Sequence, residues 1–341
     1  MMIMKIIGID GGATKVSGAI VERIDYRTFN LLKPIKEIQY SEHQSYNSDY
    51  KPLTLQEQLR GKKLSNKEYK QSQVYIDCII KIIKQLIGKD LLPIAIAMPG
   101  IKTEDKRGVK AMVNGPRIPN LCEVLEKRLS LKKGILSIES DADMCVWGEE
   151  FGKTGAFRNV ENAYYIGGGT GTADGLKLQG KLLSFDNVGT WIAKTWELTT
   201  KDKTSMELFS SMSGINQLTV TKSHKEIGNM LGNLIFERIE TIYSGWKNKF
   251  RVERVIKNSH PYHKTLLDRI VIGQRLSDFL QSDKGSIVYD EMINSLSYNC
   301  LNSDTEIINH YTKNEVFNKN LLILSKLREA PIIGLAAKLS C

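Results

Sequence analysis

Two short glycine-rich segments hold the residues of this chain best suited to chemistry. The first, Gly11-Gly12-Ala13-Thr14-Lys15, directly follows Asp10. Glycines at the end of a strand let backbone amides approach phosphate oxygens closely, because no Cβ intervenes and positive φ is free. Asp10 can hold Mg²⁺ directly or through water, while Thr14 and Lys15 add a hydroxyl and a cation for the phosphates. A tight hairpin turn capped by Asp10 would use the same residues. The second segment, Gly168-Gly169-Thr170-Gly171-Thr172, again joins glycines to hydroxyls after an apolar run. Neither segment is GxxxxGK[ST], and neither is the GxGxxG that opens a dinucleotide-binding helix. Two such loops in one chain point to a two-loop clamp on nucleotide phosphates.

A third feature is the pair Asp141 and Asp143 in Glu139-Ser140-Asp141-Ala142-Asp143, just after an apolar segment. A carboxylate at the end of a buried strand can face a ligand and accept a proton from an alcohol. Aspartate is also favoured at helix N-caps, so a capping role is the plain alternative. His260 and His263 are three apart, but Pro261 between them argues against a shared helical face, which leaves a solvated loop. Trp191 and Trp196 could stack on a sugar face or pack in the core.

These residues need elements to hold them. Apolar runs predict strands over 5–10 and 16–21 around the first loop, and over 162–166 before the second. Further strands are expected over 91–98, ended by Pro99-Gly100, over 134–138 and over 269–272, with a hairpin over 176–183. Apolar residues at helical spacing predict helices over 66–87, 225–246 and 331–340, and another starting near 146. Residues 30–63 read as polar and irregular. The only internal echo is the pair of strand-to-glycine turns.

At 341 residues the chain exceeds the usual reach of one hydrophobic core, so two domains are expected. With 41% hydrophobic and 25% charged residues it reads as a globular protein without a membrane span. The start lacks the pattern of a signal peptide, which implies a cytoplasmic protein. Five scattered cysteines imply reduced thiols. The net charge of +10 comes from dispersed Lys and Arg without interleaved aromatics, which does not suggest a nucleic-acid partner.

Taken in order, DGGATKVSGAI, AMPG at 97–100, SDADMCVWGEE at 140–150 and YIGGGTGTADGLKLQGKLL at 165–183 resemble the successive motifs of ROK-family sugar kinases. The first loop is also similar to that of N-acetylglucosamine kinases and BadF-type ATPases. The resemblance implies an α/β fold of two ribonuclease H-like, actin-like ATPase domains with a cleft between them. It would place residues 1–118 with 328–341 in the first domain and 119–327 in the second. It further implies ATP and Mg²⁺ as cofactors, a hexose or N-acetylhexosamine as substrate, and Asp141 as general base. Asp10 would lie near Mg²⁺ and the phosphates, Gly169 to Thr172 would form the second phosphate loop, and Gly273 would lie by the adenosine. Asn114 would bind sugar hydroxyls, with Glu207 a further sugar ligand. A homodimer is common among similar kinases.

Departures from the family pattern accompany these matches. The GExGH segment and the CxCGxxGC zinc site are replaced by Val188-Gly189-Thr190-Trp191-Ile192-Ala193, so no zinc site is expected. The missing sugar contact would pass to another residue such as Glu197. Gly273-Gln274 stands where two glycines are typical, and Asp143 adds a negative charge where asparagine is common. ROK-family repressors carry a helix-turn-helix before the kinase-like part, whereas here the first strand is expected within five residues. The rival reading is a weakly catalytic sugar or nucleotide sensor on the same scaffold. A BadF-type ATPase would need an iron–sulfur partner, for which this chain has no cysteine cluster.

Overall fold

The computed structural model describes residues 4–88 and 92–340. Two compact units emerge, Met1–Lys153 with Glu329–Cys341, and Thr154–Arg328. In the first unit the strands are β1 (Lys5–Gly11), β2 (Lys15–Arg23), β3 (Phe29–Gln39), β4 (Ile94–Met98), the short pair β5 (Ile101–Lys102) and β6 (Val109–Ala111), and β7 (Ile138–Ser140). The main sheet has the order β3-β2-β1-β4-β7. Its first three strands form an antiparallel meander, and β1, β4 and β7 run parallel. The second unit has β8 (Ala163–Gly168), β9 (Thr172–Leu178), β10 (Lys181–Leu183), β11 (Arg269–Gly273), the ribbon β12 (Thr312–Lys313) and β13 (Val316–Phe317), and β14 (Leu322–Leu324). Its sheet order, β10-β9-β8-β11-β14, repeats the same topology with the same strand directions. Each unit thus has the ribonuclease H-like α/β arrangement.

The helices of the first unit are α1 (Leu55–Leu59), α2 (Asn66–Leu86), α3 (Leu121–Leu129) and α4 (Asp141–Phe151), joined by the last helix of the chain. Those of the second are α5 (Phe185–Val188), α6 (Glu207–Ser210), α7 (Met212–Leu218), α8 (His224–Ser244), α9 (Gln274–Leu280), α10 (Asp283–Leu301) and α11 (Thr305–Tyr311). The last, α12 (Ala330–Ser340), belongs to the first unit. Among the described residues no helix is long and apolar enough to cross a membrane.

Alternation along β1 explains the layering. Ile7 and Ile9 join the core under α2, packing with Val74, Ile76, Ile79 and Ile83. Gly8 faces the other way and lies under Ile332 of α12, where a Cβ would come 2.8 Å from the Ile332 carbonyl oxygen. Two more glycines allow α12 to reach α4. A Cβ on Gly148 would strike the Ala330 carbonyl oxygen, and one on Gly334 would strike that of Met144.

Several expectations are corrected. The change of domain expected at 118/119 falls instead at Lys153/Thr154, because β7 extends the first sheet beside β4 and α4 packs against α12. Residues 29–39 form a strand within the stretch read as irregular. Pro34 hides it, and is tolerated because β3 is an edge strand. The strand expected over 134–138 is displaced to Ile138–Ser140, and the helix expected near 146 starts at Asp141. Leu91, in the strand expected over 91–98, lies outside the described residues.

Gly334→Ala should lower stability by about 1–3 kcal/mol through overpacking, although the same change in an exposed helix would raise it by about 1 kcal/mol. Urea denaturation of the two proteins gives the sign.

Candidate functional site

In the first unit the site grows from the carboxyl ends of parallel strands. Asp10 is paired with Ala97 near the ends of β1 and β4, and Ser140 is paired with Met98 at the ends of β4 and β7. One intervening strand therefore separates the backbones of Asp10 and Asp141 by about 10 Å. Ser140, not either aspartate, caps α4, its hydroxyl accepting the Asp143 amide at 3.4 Å. Asp141 is thus the first helical residue, where a carboxylate interacts favourably with the helix macrodipole. Burial, with the negative Asp141 acting in the same direction, pushes the Asp10 carboxyl up to about 7 against the pull of Lys15.

The first glycine loop is the turn between β1 and β2, and its carbonyls are tied back. The Tyr75 hydroxyl donates to the Ala13 carbonyl at 2.6 Å, and the Tyr40 amide donates to that of Thr14 at 3.0 Å. Tyr40 and Tyr75 stack at 3.7 Å. Among the described residues no acceptor takes the amides of Gly12, Ala13 or Thr14. Such a run of amides is an anion-receiving surface. Lys15 does not offer it an unpaired cation, because Glu37 on β3 pairs with its ammonium. Glu37 and Tyr75 were not singled out in the sequence. Both act across the fold, and no local motif marks them.

Asn114 is exposed in a turn whose flanks are fixed on both sides. Gln58 of α1 exchanges hydrogen bonds with Met112 at 2.8 and 2.9 Å, and Glu68 of α2 holds the buried Arg117 guanidinium at 2.7 Å. Met98 and Gly100, in the AMPG segment, present carbonyls that both accept from Lys102 at 2.7 Å.

In the second unit Gly168 to Thr172 turn from β8 to β9. The Gly169 amide donates to the Gly171 carbonyl at 2.9 Å, and the Met212 amide donates to the Gly169 carbonyl at 2.9 Å. The Thr172 amide donates to Glu207 at 3.0 Å, and the Thr172 and Ser210 hydroxyls lie 2.8 Å apart. Glu207, expected from the resemblance as a sugar ligand, is therefore drawn onto the second loop, its carboxyl raised by burial. Among the described residues the amides of Thr170 and Gly171 meet no acceptor. Gly273 ends β11, and Gln274 beside it takes φ 59°, the left-handed region that glycine adopts most readily. Sequence reading passed over Arg275, whose guanidinium donates to the Thr170 hydroxyl at 3.3 Å. Its only sequence mark is its place just after the Gly273 turn.

The segment replacing GExGH is held by side chains. Arg254 pairs with both oxygens of Glu197 at 2.6 and 2.9 Å, so that carboxylate is engaged in an ion pair. Trp191 is buried against His260 at 4.2 Å, and His260 stacks on His263 at 4.2 Å. His260 therefore sits in a packed stack rather than a solvated loop, while Trp196 is exposed. Among the described residues no group of three or more His, Cys, Asp or Glu is placed to hold a metal.

Each unit thus has a ribonuclease H-like sheet with a glycine-rich turn after its first strand. No family model and no curated protein matches the chain by sequence. Solved structures do match in fold. An inorganic polyphosphate/ATP-glucomannokinase from Arthrobacter sp. strain KM is 16% identical with a TM-score of 0.58, over 99% of this chain and 98% of its own. A ROK family glucokinase from Streptomyces griseus, solved with glucose and AMPPNP, is 15% identical with a TM-score of 0.57, over 98% of each chain. A ROK family transcriptional regulator, a homolog of the E. coli MLC protein, is 13% identical with a TM-score of 0.50, over 99% of this chain and 78% of its own. Two of these neighbours are described as members of the family that the motifs resemble, and at these identities the likeness is one of fold.

The raised carboxyl of Asp10 has a signed consequence for the unliganded protein. From the ordinary 3.8 to about 7 the folded chain holds more protons at this group than the unfolded chain, so stability falls as pH rises through that window. Asp10→Asn should match the native chain near pH 4 and exceed its stability by up to about 4 kcal/mol above pH 7. Denaturation midpoints across this range test it, and a gap independent of pH would refute the titration.

Proposed function

We propose that the chain is a sugar kinase that transfers the γ-phosphate of ATP to a hydroxyl of a hexose or N-acetylhexosamine, with Asp141 as general base. The observation that carries this reading is the placement of Asp141. Its carboxylate opens α4 at the carboxyl ends of the parallel strands, close enough to influence Asp10, in the unit whose glycine loop presents three amides that meet no acceptor among the described residues. The fold shared with the Streptomyces griseus glucokinase, which was solved with glucose and AMPPNP, supports it.

Roles follow unit by unit. In the first unit the amides of Gly12, Ala13 and Thr14, supported by Gly11 and flanked by Lys15, receive phosphate oxygens. Asp10 is the residue to hold Mg²⁺, and the donor set fits: a carboxyl pushed up by burial and a second negative charge is relieved by a divalent cation. The ion, when bound, neutralises phosphate charge. Asn114, exposed on its braced turn, offers its amide to sugar hydroxyls. In the second unit Gly169, Thr170, Gly171 and Thr172 bind phosphate and Gly273 lies by the adenosine, with Glu207 a sugar ligand that also holds the Thr172 amide.

In the reaction the sugar hydroxyl loses its proton to the Asp141 carboxylate as its oxygen attacks the γ-phosphorus. The new P–O bond forms in line with the breaking bond to the β-phosphate oxygen, and ADP leaves. The partners of this cytoplasmic enzyme are then ATP and a sugar, with neither nucleic acid nor membrane. The fold similarity to a ROK family transcriptional regulator makes a sensor the competing outcome.

A coupled ADP-release assay with MgATP over glucose, mannose, fructose, N-acetylglucosamine, N-acetylmannosamine and allose tests the reading. Turnover is expected on at least one of them, falling about 100-fold or more in Asp141→Asn. Sugar binding without any ADP release would favour the sensor, and full turnover in Asp141→Asn would remove the base from Asp141.

A further inference from the structure

Resting on the nucleotide-binding reading, we propose that Arg275 is the cation that engages the phosphate chain of the nucleotide in the second unit. A phosphate chain calls for a cation as well as amides, and Lys15 is the residue whose position in the first loop suggests that part. Its ammonium is paired with Glu37, which also receives the Ser17 hydroxyl at 3.4 Å. That pairing leaves the first loop without an uncommitted positive charge from Lys15.

Arg275 differs in each respect. Its guanidinium is exposed and already touches the second loop, donating to the Thr170 hydroxyl at 3.3 Å. Among the described residues no carboxylate pairs with it. Asp278, one helical turn further on, is the natural partner by spacing, and its carboxylate is taken by Arg328 instead. Beside Arg275 stand the amides of Thr170 and Gly171, which meet no acceptor among the described residues. A planar guanidinium in contact with a loop that has two amides without an acceptor among the described residues suits a phosphate oxygen pair, for which arginine offers parallel donors.

The backbone fixes this placement. Gly168 forms a parallel bridge with Gln274, carrying the β8–β11 ladder one residue beyond Gly273. Gln274 takes the left-handed conformation, φ 59°, and so turns the chain that leads into Arg275. A non-glycine residue is held there against the steric preference of L-residues, and such strain persists where the surrounding structure over-determines it. The departure from two glycines at this turn therefore coincides with an arginine aimed at the phosphate loop.

Calorimetric titration of the full chain with MgATP, and separately with adenosine, tests the assignment. Arg275→Gln should weaken MgATP binding about tenfold or more and flatten its salt dependence, while adenosine binding stays within about twofold of native. Arg275→Lys should recover part of the loss, since a point charge replaces the fork. Lys284→Gln, an exposed change of equal charge on α10, should leave both affinities within about twofold. MgATP binding by Arg275→Gln equal to native, or a parallel loss of adenosine and MgATP, would overturn the role while leaving nucleotide binding intact. Absence of MgATP binding by the native chain would overturn both.

Discussion

Close backbone approach in α12 is the constraint on which the first unit depends. This helix lies on β1 at Gly8 and against α4 at Gly148 and Gly334, and at each of these positions a side chain would collide with a carbonyl oxygen. Here α4 starts where β7 ends, with Ser140 as its cap and Asp141 in its first turn. The second unit uses the same means with different residues. Gly228 and Gly232 of α8 face the Val288 and Met292 carbonyls of α10, and a Cβ on either would intrude on them. Small residues at helix crossings are thus what let a ribonuclease H-like sheet keep its functional strand ends in register.

Charge is treated in opposite ways in two parts of the molecule. In the second unit Arg238 is wholly buried, yet it donates to the Ala193 carbonyl at 2.7 Å and to the Thr195 hydroxyl at 3.1 Å, and it pairs with Glu237 at 3.1 Å. Asp174 in turn accepts from Tyr164 at 2.8 Å and from the Thr195 amide at 2.6 Å. This network anchors the segment after β10, although among the described residues the Arg238 Nε and one Glu237 carboxylate oxygen have no hydrogen-bond partner. In the first unit Asp10 has burial and another carboxylate against it, and only Lys15 in its favour. Groups held in such unfavourable surroundings mark functional positions more often than structural ones. The contrast separates the ionic core of one unit from the candidate chemistry of the other.

Much of this was legible from the residues in order. The glycine loops, Asp10, Asp141 and the strands leading to them are local signals, each readable within a dozen residues, and the structure places them at strand ends and turns as their spacing implies. The edge strand β3 was not legible, because Pro34 and charged residues blur its alternation. Nor was the boundary between the units, because β7 is only three residues long and its membership is decided by pairing with β4.

By itself, then, the sequence determined the two glycine turns, the carboxylates that follow buried strands and the α/β class, since these depend on local backbone preferences and hydrophobic periodicity. Tertiary structure alone decided which charges are committed. Lys15 is paired because β3 brings Glu37 alongside it, and Glu197 is engaged because Arg254 reaches it from far along the chain. Among the described residues no carboxylate pairs with Arg275, and Asp278 nearby is claimed by Arg328. Whether a charged side chain is free to meet a ligand depends on neighbours distant in sequence, and only folding brings those neighbours together.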